Sequence, residues 1–277
     1  MKMYFRIFAA AVILVSIYMN LYSQEVLTDR VSVAFSDPSR AGFLKVSLIN
    51  GSITVTGYDG NDVLVEAKVR SKRYSHDRKN DAARGMKRLA ITSTGLTVEE
   101  QDNIMSVSAA SHVRAIDVTI KVPKRTSLKL NAINNGNIFV ENMTGEIELH
   151  NVNGKIEAYK IYGSVVANTT NGKVTVTFEK IDPKKPMSFI SFNGRVDVTF
   201  PENVKADVKM KSVQGDIYSD FDIEIEQGPK LIQEDSRERG GKFKVTVENT
   251  IYGKLNGGGP LYHFSTYNGS IYIRKAN

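Results

Sequence analysis

The sequence predicts an all-β fold, a β-solenoid in which short strands stack on one another and Asn-Gly pairs form the corners. Three observations support this prediction. Apolar and polar residues alternate along most of the chain, as in residues 53–69, 115–122 and 242–249. A short unit of Gly-x-aliphatic recurs, with glycines at 136, 145, 154, 163 and 172. Only residues 75–89 clearly depart from the alternation, which has the period of half-buried strands.

Residues 1–23 are predicted to be a signal peptide and not part of the fold. Lys2 and Arg6 precede an apolar run from 7 to 19, and a small residue, Ser23, follows where a signal peptidase would cut. A run of roughly 13 apolar residues is short for a membrane span but suits a signal peptide. We therefore expect an exported bacterial protein, periplasmic, cell-surface or extracellular, with a single mature domain at 24–277. The alternative is an uncleaved anchor, since Leu21 is a poor residue at the cleavage site.

Composition narrows the class of protein further. The net charge is +7, and loss of Lys2 and Arg6 with the signal leaves a mildly basic chain of mixed charge, which does not indicate a nucleic-acid partner. The chain has no cysteine, so disulfides, thiolate metal sites and a lipid-modified N-terminal cysteine are excluded. No later stretch approaches the 18 apolar residues of a spanning helix, so we expect no membrane span in the mature chain.

The first strands are predicted at 31–35 and 53–69, and later ones at 115–122, 127–132 and 242–249. Residues 75–89, "SHDRKNDAARGMKRL", are rich in charge and alanine and lack β-branched residues. This composition predicts one short exposed helix or a loop excursion between strands.

The central repeat, within residues 130–200, explains the prediction of a solenoid. Four or five extended residues and a corner make up nine residues, and glycine and asparagine suit a corner because they tolerate a left-handed backbone. The residue before glycine alternates between Asn and another type: 135, 153 and 171 are Asn, whereas 144 is Thr and 162 is Tyr. This alternation favours an 18-residue coil with two unlike corners, stacked in parallel. An antiparallel meander of hairpins remains the alternative.

Both ends of such a stack need caps, because an open strand edge invites pairing with other chains. The N-terminal strands and the aromatic segment 261–275, "LYHFSTYNGSIYIRK", are the predicted caps. The next glycines after 172 follow at intervals of 22 and 21 residues, which indicates longer loops on the same scaffold.

Residues 118–149, "VTIKVPKRTSLKLNAINNGNIFVENMTGEIEL", combine a strand ending in Val-Pro, a second strand and then Asn-Gly units. Together with "LINGSITVTGYDGNDVLVEA" near the start and "YNGSIYIRK" near the end, this pattern resembles the putative adhesin family of exported bacterial proteins, formerly DUF4097. The resemblance covers roughly residues 43–275. It implies an exported β-solenoid-like domain with an adhesive role and no catalytic residues to transfer.

The residues favour a non-enzymatic binding or scaffolding module of the cell envelope, with a surface glycan or another envelope protein as partner. One alternative is a carbohydrate-active enzyme on a β-helix, which would need convergent carboxylates. The candidate acids, Glu146, Glu148, Glu157, Asp197 and Asp216, are spread singly along the chain. A further alternative is an envelope-stress or regulatory partner protein. The four histidines are scattered, so we expect no metal site. We also expect no catalytic residues and no cofactor-binding residues.

Two speculative binding features remain. Lys155, Lys173 and Arg195 each follow Asn-Gly directly, and stacking would align them as a basic column for an anionic glycan or lipid head group. The alternative is that Glu157 and Asp197 neutralise the column. Near the C-terminus, Tyr262, Tyr267 and Tyr272 are candidates for a sugar-stacking platform, although aromatic residues at an edge also cap cores.

Overall fold

The computed structural model describes residues 27–70, 93–109, 114–226, 230–235, 237, 243–248 and 250–276. These residues form β-strands joined by turns, in two large mixed sheets and one two-stranded hairpin. The predicted signal peptide, 1–23, and the predicted excursion, 75–89, lie outside the described residues. Within the described part of the chain, no helix is long and apolar enough to cross a membrane.

The strands are numbered in chain order. Sheet 1 contains, from one edge to the other, β1 (Thr28–Ala34), β4 (Asp62–Val69), β7 (Ile116–Pro123), β3 (Ile53–Tyr58), β9 (Ile138–Met143), β11 (Ile156–Ile161), β13 (Val174–Phe178), β15 (Val196–Phe200), β23 (Ile271–Lys275) and β17 (Ile217–Ser219). Sheet 2 contains β18 (Ile223–Ile225), β21 (Ile251–Leu255), β16 (Ala206–Gln214), β22 (Leu261–Asn268), β14 (Met187–Asn193), β12 (Val165–Asn171), β10 (Ile147–Asn153), β8 (Ser127–Asn134), β2 (Phe43–Asn50), β6 (Ile104–Ala109) and β5 (Leu96–Gln101). The separate hairpin is β19 (Lys230–Asp235) with β20 (Phe243–Glu248).

One coil of the solenoid is a strand of sheet 2 followed by a strand of sheet 1. In the repeat, Ile147 of β10 pairs in parallel with Val165 of β12, and Ile156 of β11 pairs with Val174 of β13. Each pair is 18 residues apart, so the coil has two strands and two unlike corners. The prediction of a β-solenoid is confirmed, and the alternative of an antiparallel hairpin meander is wrong for this repeat.

The core lies between the two sheets and is built from the inward side chains of each strand. On the consecutive strands β11 and β12, Ile156, Ala158, Ile161, Val165 and Ala167 are all fully buried. Towards β22 the core becomes aromatic, with ring centroids 5.2 to 6.3 Å apart. The members of this aromatic cluster are Phe178, Phe189, Phe200, Tyr262 and Phe264. Each such contact adds about 0.5–1.5 kcal/mol beyond the burial of apolar area.

The order of coils in space differs from their order in the chain. Strands β22 and β23, the last of the described chain, lie between the coil β14–β15 and the coil β16–β17. The prediction that residues 261–275 form a cap is therefore wrong. The physical reason is that Tyr262 and Phe264 point inward and complete the aromatic cluster.

Antiparallel strands close one end of the stack in both sheets and the other end in sheet 2, whereas sheet 1 ends there at the parallel strand β17. At one end β4 pairs with β7, β1 pairs with β4, and β5 pairs with β6. At the other end β21 pairs with β16 and β18 pairs with β21. The prediction of an N-terminal cap is confirmed for β1, and the second cap comes from residues before the final coil.

At Gly154 and Gly172 of the repeat, glycine is required by close approach and not by a left-handed backbone. A Cβ on Gly154 would lie 1.9 Å from the carbonyl oxygen of Gly136, and one on Gly172 would lie 2.2 Å from that of Gly154. Neither Gly154 nor Gly172 adopts a left-handed φ. Glycine is therefore needed because the backbone of the next coil passes directly over it.

Candidate functional site

A ladder of asparagine side chains runs along the Asn-Gly corner. Four hydrogen bonds join its five members, each from the amide nitrogen of one asparagine to the amide oxygen of the asparagine in the adjacent coil, at donor–acceptor distances of 2.7 to 2.8 Å. The Asn ladder consists of Asn134, Asn153, Asn171, Asn193 and Asn268. This ladder, and not tolerance of a left-handed backbone, explains the asparagines at 153, 171, 193 and 268. Of the candidate corner residues only Asn135 has a positive φ, of 56°.

A second set of hydrogen bonds stabilises the same corner on its buried side. One buried or half-buried side chain per coil donates to the carbonyl oxygen of a corner glycine in the adjacent coil, at 2.7 to 3.1 Å. These donors are Asn151, Thr169, Ser191, Ser212 and Thr266. The glycine carbonyls are thereby satisfied, and each corner is held by side-chain hydrogen bonds on both its faces.

An exposed row of mostly apolar side chains flanks the Asn ladder on sheet 2. Each member directly precedes the asparagine or glutamine of its corner, so strand register places the members side by side. We call this the corner row: Ile133, Val152, Thr170, Phe192, Tyr267 and Val213. Its five apolar members are each 40% to 50% exposed. Six rungs span about 24 Å at ~4.8 Å per strand.

The corner row is flattest at Phe192 and Tyr267. Their rings are stacked with centroids 4.9 Å apart and planes 8° from parallel. Thr170, the neighbour of Phe192 on the other side, is much smaller, so the row steps down beside that ring. Contiguous exposed apolar side chains mark interaction surfaces, whereas a single exposed one needs no explanation.

The Asn ladder gives this edge a polar border with unused hydrogen-bonding capacity. A carboxamide has two N–H donors and two acceptor lone pairs, and the ladder uses one donor and one acceptor of each inner asparagine. The edge therefore presents apolar surface beside regularly spaced amide groups. No member of the corner row or the Asn ladder is an Asp, Glu, Lys, Arg or His.

The predicted basic column does align, but its lysines are paired with an acid. Lys155 and Lys173 lie on adjacent coils and contact the two carboxylate oxygens of Glu157, at 2.6 and 2.7 Å. Burial alone would raise the pKa of Glu157, but hydrogen bonds and charge from the two lysines outweigh burial and lower it. The acid is held ionised between the two bases.

Arg195, the third member of the basic column, is 3.9 Å from a carboxylate oxygen of Asp197, which Arg274 contacts at 2.7 Å. These contacts match the alternative of neutralisation by Glu157 and Asp197. A role for Lys155, Lys173 and Arg195 in binding an anionic ligand stays a prediction.

The three tyrosines predicted as an aromatic platform do not share a surface. Tyr262 is fully buried in the aromatic cluster, and burial raises its pKa to about 12. Tyr267 faces outward from sheet 2, whereas Tyr272 lies on sheet 1, stacked on Tyr218 at 5.2 Å. The platform is therefore wrong as a joint site, and Tyr267 belongs to the corner row instead.

Sequence reasoning overlooked Phe192 and the corner row, although a signal was present. The residue before the corner asparagine or glutamine is apolar at 133, 152, 192, 213 and 267. In a strand that alternates inward and outward, this position is outward, so apolar residues there are unexpected.

No protein-family model matches the chain, and no curated protein matches it. Among solved structures, it is similar to a putative cell adhesion protein from Clostridium sporogenes, with 11% identity over 90% of this chain and 100% of that one, and a TM-score of 0.47. A putative adhesin from Bacteroides fragilis matches at 9% identity over 92% and 98%, with a TM-score of 0.31. A putative lipid binding protein from Parabacteroides distasonis matches at 8% identity over 90% and 97%, with a TM-score of 0.28. These likenesses are too distant to carry an argument about function.

Proposed function

We propose that the protein is a non-enzymatic, exported binding module of the bacterial cell envelope, adhesin-like in role, which holds a linear neutral glycan along the corner row. The observation that carries this proposal is the exposed apolar row beside the Asn ladder. The predicted signal peptide at 1–23 supports export. The strand stack supplies a rigid support, since each corner is fixed by hydrogen bonds.

The chemistry of the edge suits a sugar polymer. Sugar rings have an apolar C–H face and a rim of hydroxyl groups, and the edge offers apolar side chains beside amide donors and acceptors. The regular spacing of about 4.8 Å between rungs lets successive units of an extended polymer meet equivalent groups. Because neither the corner row nor the Asn ladder is charged, a neutral glycan matches the edge better than an acidic one.

The arrangement of carboxylates argues against the enzyme alternative. Register places Glu157 and Asp197 two strands apart on the outer face of sheet 1, about 10 Å from each other. A glycosidase needs one carboxyl group that stays protonated as general acid. Glu157 and Asp197 are instead paired with bases, and the pKa of Glu157 is lowered.

A second pair of acids lies at a cleft of about 360 Å³ between sheet 2 and the loop at 185–186. Glu146 contacts Lys185 at 2.9 Å. Glu148 contacts His150 at 2.7 Å and Lys129 at 3.0 Å, and these hydrogen bonds lower its pKa. Glu148 is therefore also held in the ionised form, which suits a structural ion pair better than acid catalysis.

A glycan array with the purified protein, followed by calorimetry on the best ligand, tests the proposal. Phe192→Ala and Tyr267→Ala should each weaken binding by tenfold or more, because central aromatic side chains supply about 2 kcal/mol in binding sites. Tyr162→Ala is the matched control, since Tyr162 and Tyr267 are both 42% exposed but only Tyr267 belongs to the corner row.

Binding that is unchanged in both corner-row variants would overturn the assignment of the site. An array without any neutral glycan ligand would overturn the ligand class, and a protein partner would then have to be sought by cross-linking in the native cell. The other result is that the protein prefers acidic glycans, and loses this preference when Lys155, Lys173 and Arg195 are all replaced by Ser. That result would assign the binding site to the basic column.

A further inference from the structure

A cleft of about 300 Å³ opens at the carboxyl ends of three adjacent parallel strands of sheet 1, β7, β3 and β9. The loop between β1 and β2 covers it from one side, and the turns at 59–61 and 124–126 form its other walls. This end cleft lies at the corners opposite to the Asn ladder, so it shares no residue with the corner row. Its volume is at the lower end of the range for small-molecule sites.

The rim of the end cleft carries three cationic side chains. Arg40 contacts Asp37 at 2.9 Å, and Lys124 contacts Asp59 at 2.8 Å. Arg125 donates to the main-chain carbonyl of Pro38, which is uncharged. Among the described residues, no carboxylate lies within ion-pair distance of Arg125. Three cations thus face two acids, and the cleft has an excess of positive charge.

Lys124 can exchange its ion pair with Asp59 for an ion pair with a ligand. The side chain of Asp59 is 85% exposed, whereas that of Lys124 is 33% exposed. Asp59 can therefore turn into solvent at little cost while an incoming oxyanion takes its place on the ammonium group. An exposed ion pair is worth about 0–1 kcal/mol, so this exchange is energetically small.

The inner part of the end cleft combines apolar surface with one unsatisfied polar group. Phe35, Tyr58 and Pro123 supply apolar lining. Thr126 also lines the cleft and is fully buried, and its hydroxyl has no hydrogen-bond partner in the described part of the chain. Buried hydroxyls are nearly always satisfied, so one that lines a cleft indicates a polar guest.

We infer that the end cleft binds a small polar ligand that carries one oxyanion, a carboxylate, sulfate or phosphate, beside an apolar face. Lys124, together with Arg40 and Arg125 on the same rim, holds the oxyanion by charge-assisted hydrogen bonds. Tyr58 and the prolines pack against the apolar face of the ligand. This site is independent of the proposed neutral glycan, so each can fail without the other.

Calorimetry of the purified protein with glucuronate, galactose 6-sulfate and glycerol phosphate tests this inference, with glucose and inorganic sulfate as references. We expect saturable binding of at least one organic anion, no binding of glucose, and weakening of that binding by salt. The three anions distinguish a uronic acid, a sulfated sugar and a phosphorylated head group as sources of the same chemistry.

The double variant Arg40→Gln with Lys124→Gln should weaken binding by about tenfold or more. Its matched control is Arg30→Gln with Lys129→Gln, which removes the same charge from side chains that are similarly exposed and also ion-paired, but lie outside the end cleft. The control should bind within about twofold of the wild type.

Three outcomes would overturn the inference. They are the absence of binding by any of the anions at millimolar concentration, equal weakening in both double variants, and binding of glucose as tight as that of the anions. Arg125→Gln provides an additional variant, and its thermal unfolding must be compared with that of the wild type because Arg125 also holds the carbonyl of Pro38.

Discussion

Replacing Gly172 by alanine tests whether close approach of the coils is what demands glycine at the corners. The new Cβ would lie 2.2 Å from the carbonyl oxygen of Gly154, whereas Cβ contacts closer than 3.0 Å are essentially never seen. The two coils would have to separate by about 0.8 Å at this corner. Gly172 does not adopt a left-handed φ, so the cost arises from contact alone.

The cost can be worked out from the hydrogen bonds that cross this corner. Three bonds join the two coils here and would lengthen beyond hydrogen-bonding distance: Ile156 N to Lys173 O at 2.9 Å, Thr169 Oγ1 to Gly154 O at 2.9 Å, and Asn171 Nδ2 to Asn153 Oδ1 at 2.8 Å. At about 1 kcal/mol each, their loss destabilises the fold by about 3 kcal/mol. For a domain of this size, the melting temperature should fall by about 6–12 °C.

Thermal and urea unfolding followed by circular dichroism measure this loss. Gly257→Ala is the control, since nothing lies within 4 Å of its Cβ position and its φ of +88° is the source of strain. That strain costs about 1–2 kcal/mol. A Gly172→Ala variant that is no less stable than Gly257→Ala would refute the steric explanation of the glycine column.

Three further predictions concern the stack and one of its ion pairs. Deletion of residues 154–171 removes one whole coil and joins Asn153 to Gly172, so the shortened protein should still unfold cooperatively with an all-β circular dichroism spectrum. Loss of the native spectrum would contradict the 18-residue coil. Truncation after Pro260 removes β22 and β23 from inside the stack, and should reduce the melting temperature more than the coil deletion does. The pKa of Glu157 is lowered in the folded state, so Glu157→Gln should destabilise the protein by about 1 kcal/mol at pH 7. This difference in stability from the wild type should vanish as the pH falls below 4.5 and through the lowered pKa, because the carboxylate of the wild type is then protonated. A difference that stays constant down to pH 3 would contradict the role of this carboxylate.

The coil and its core follow from the sequence because strand periodicity and unit length are local properties. Ile156 and Val165 stand at the same place in successive nine-residue units, and alternation fixes them inward. The inference of an 18-residue coil used only the alternation of Asn with Thr and Tyr before glycine. The structure adds the physical cause, since Asn153 and Asn171 bond to each other only if they are one full coil apart.

The candidate site was harder to predict because it depends on which side chains neighbouring coils place next to each other. Each outward Val152 or Phe192 is unremarkable alone, and only the parallel register turns them into a row. The end cleft depends on loops that are distant in sequence, with Arg40 and Lys124 brought together by strands that are not consecutive. The corner row has a signal only when the units are compared, and the end cleft has no local signature.

The position of β22 and β23 has a consequence for how the stack holds together. Asn268 donates to Asn193 across the point where the final coil enters the stack, and Ser212 of the outer coil donates to Gly269. Within the described part of the chain, β16 and β17 are joined to the coil β14–β15 in the two sheets through β22 and β23. In a sequential solenoid the last coil is an end, and its loss costs one interface. Here the coil β22–β23 supplies two interfaces and contributes Tyr262 and Phe264 to the core, so the stability of the far end depends on β22 and β23. The corner row crosses this junction at Phe192, Tyr267 and Val213. The proposed binding edge is therefore complete only once β22 has taken its place between β14 and β16.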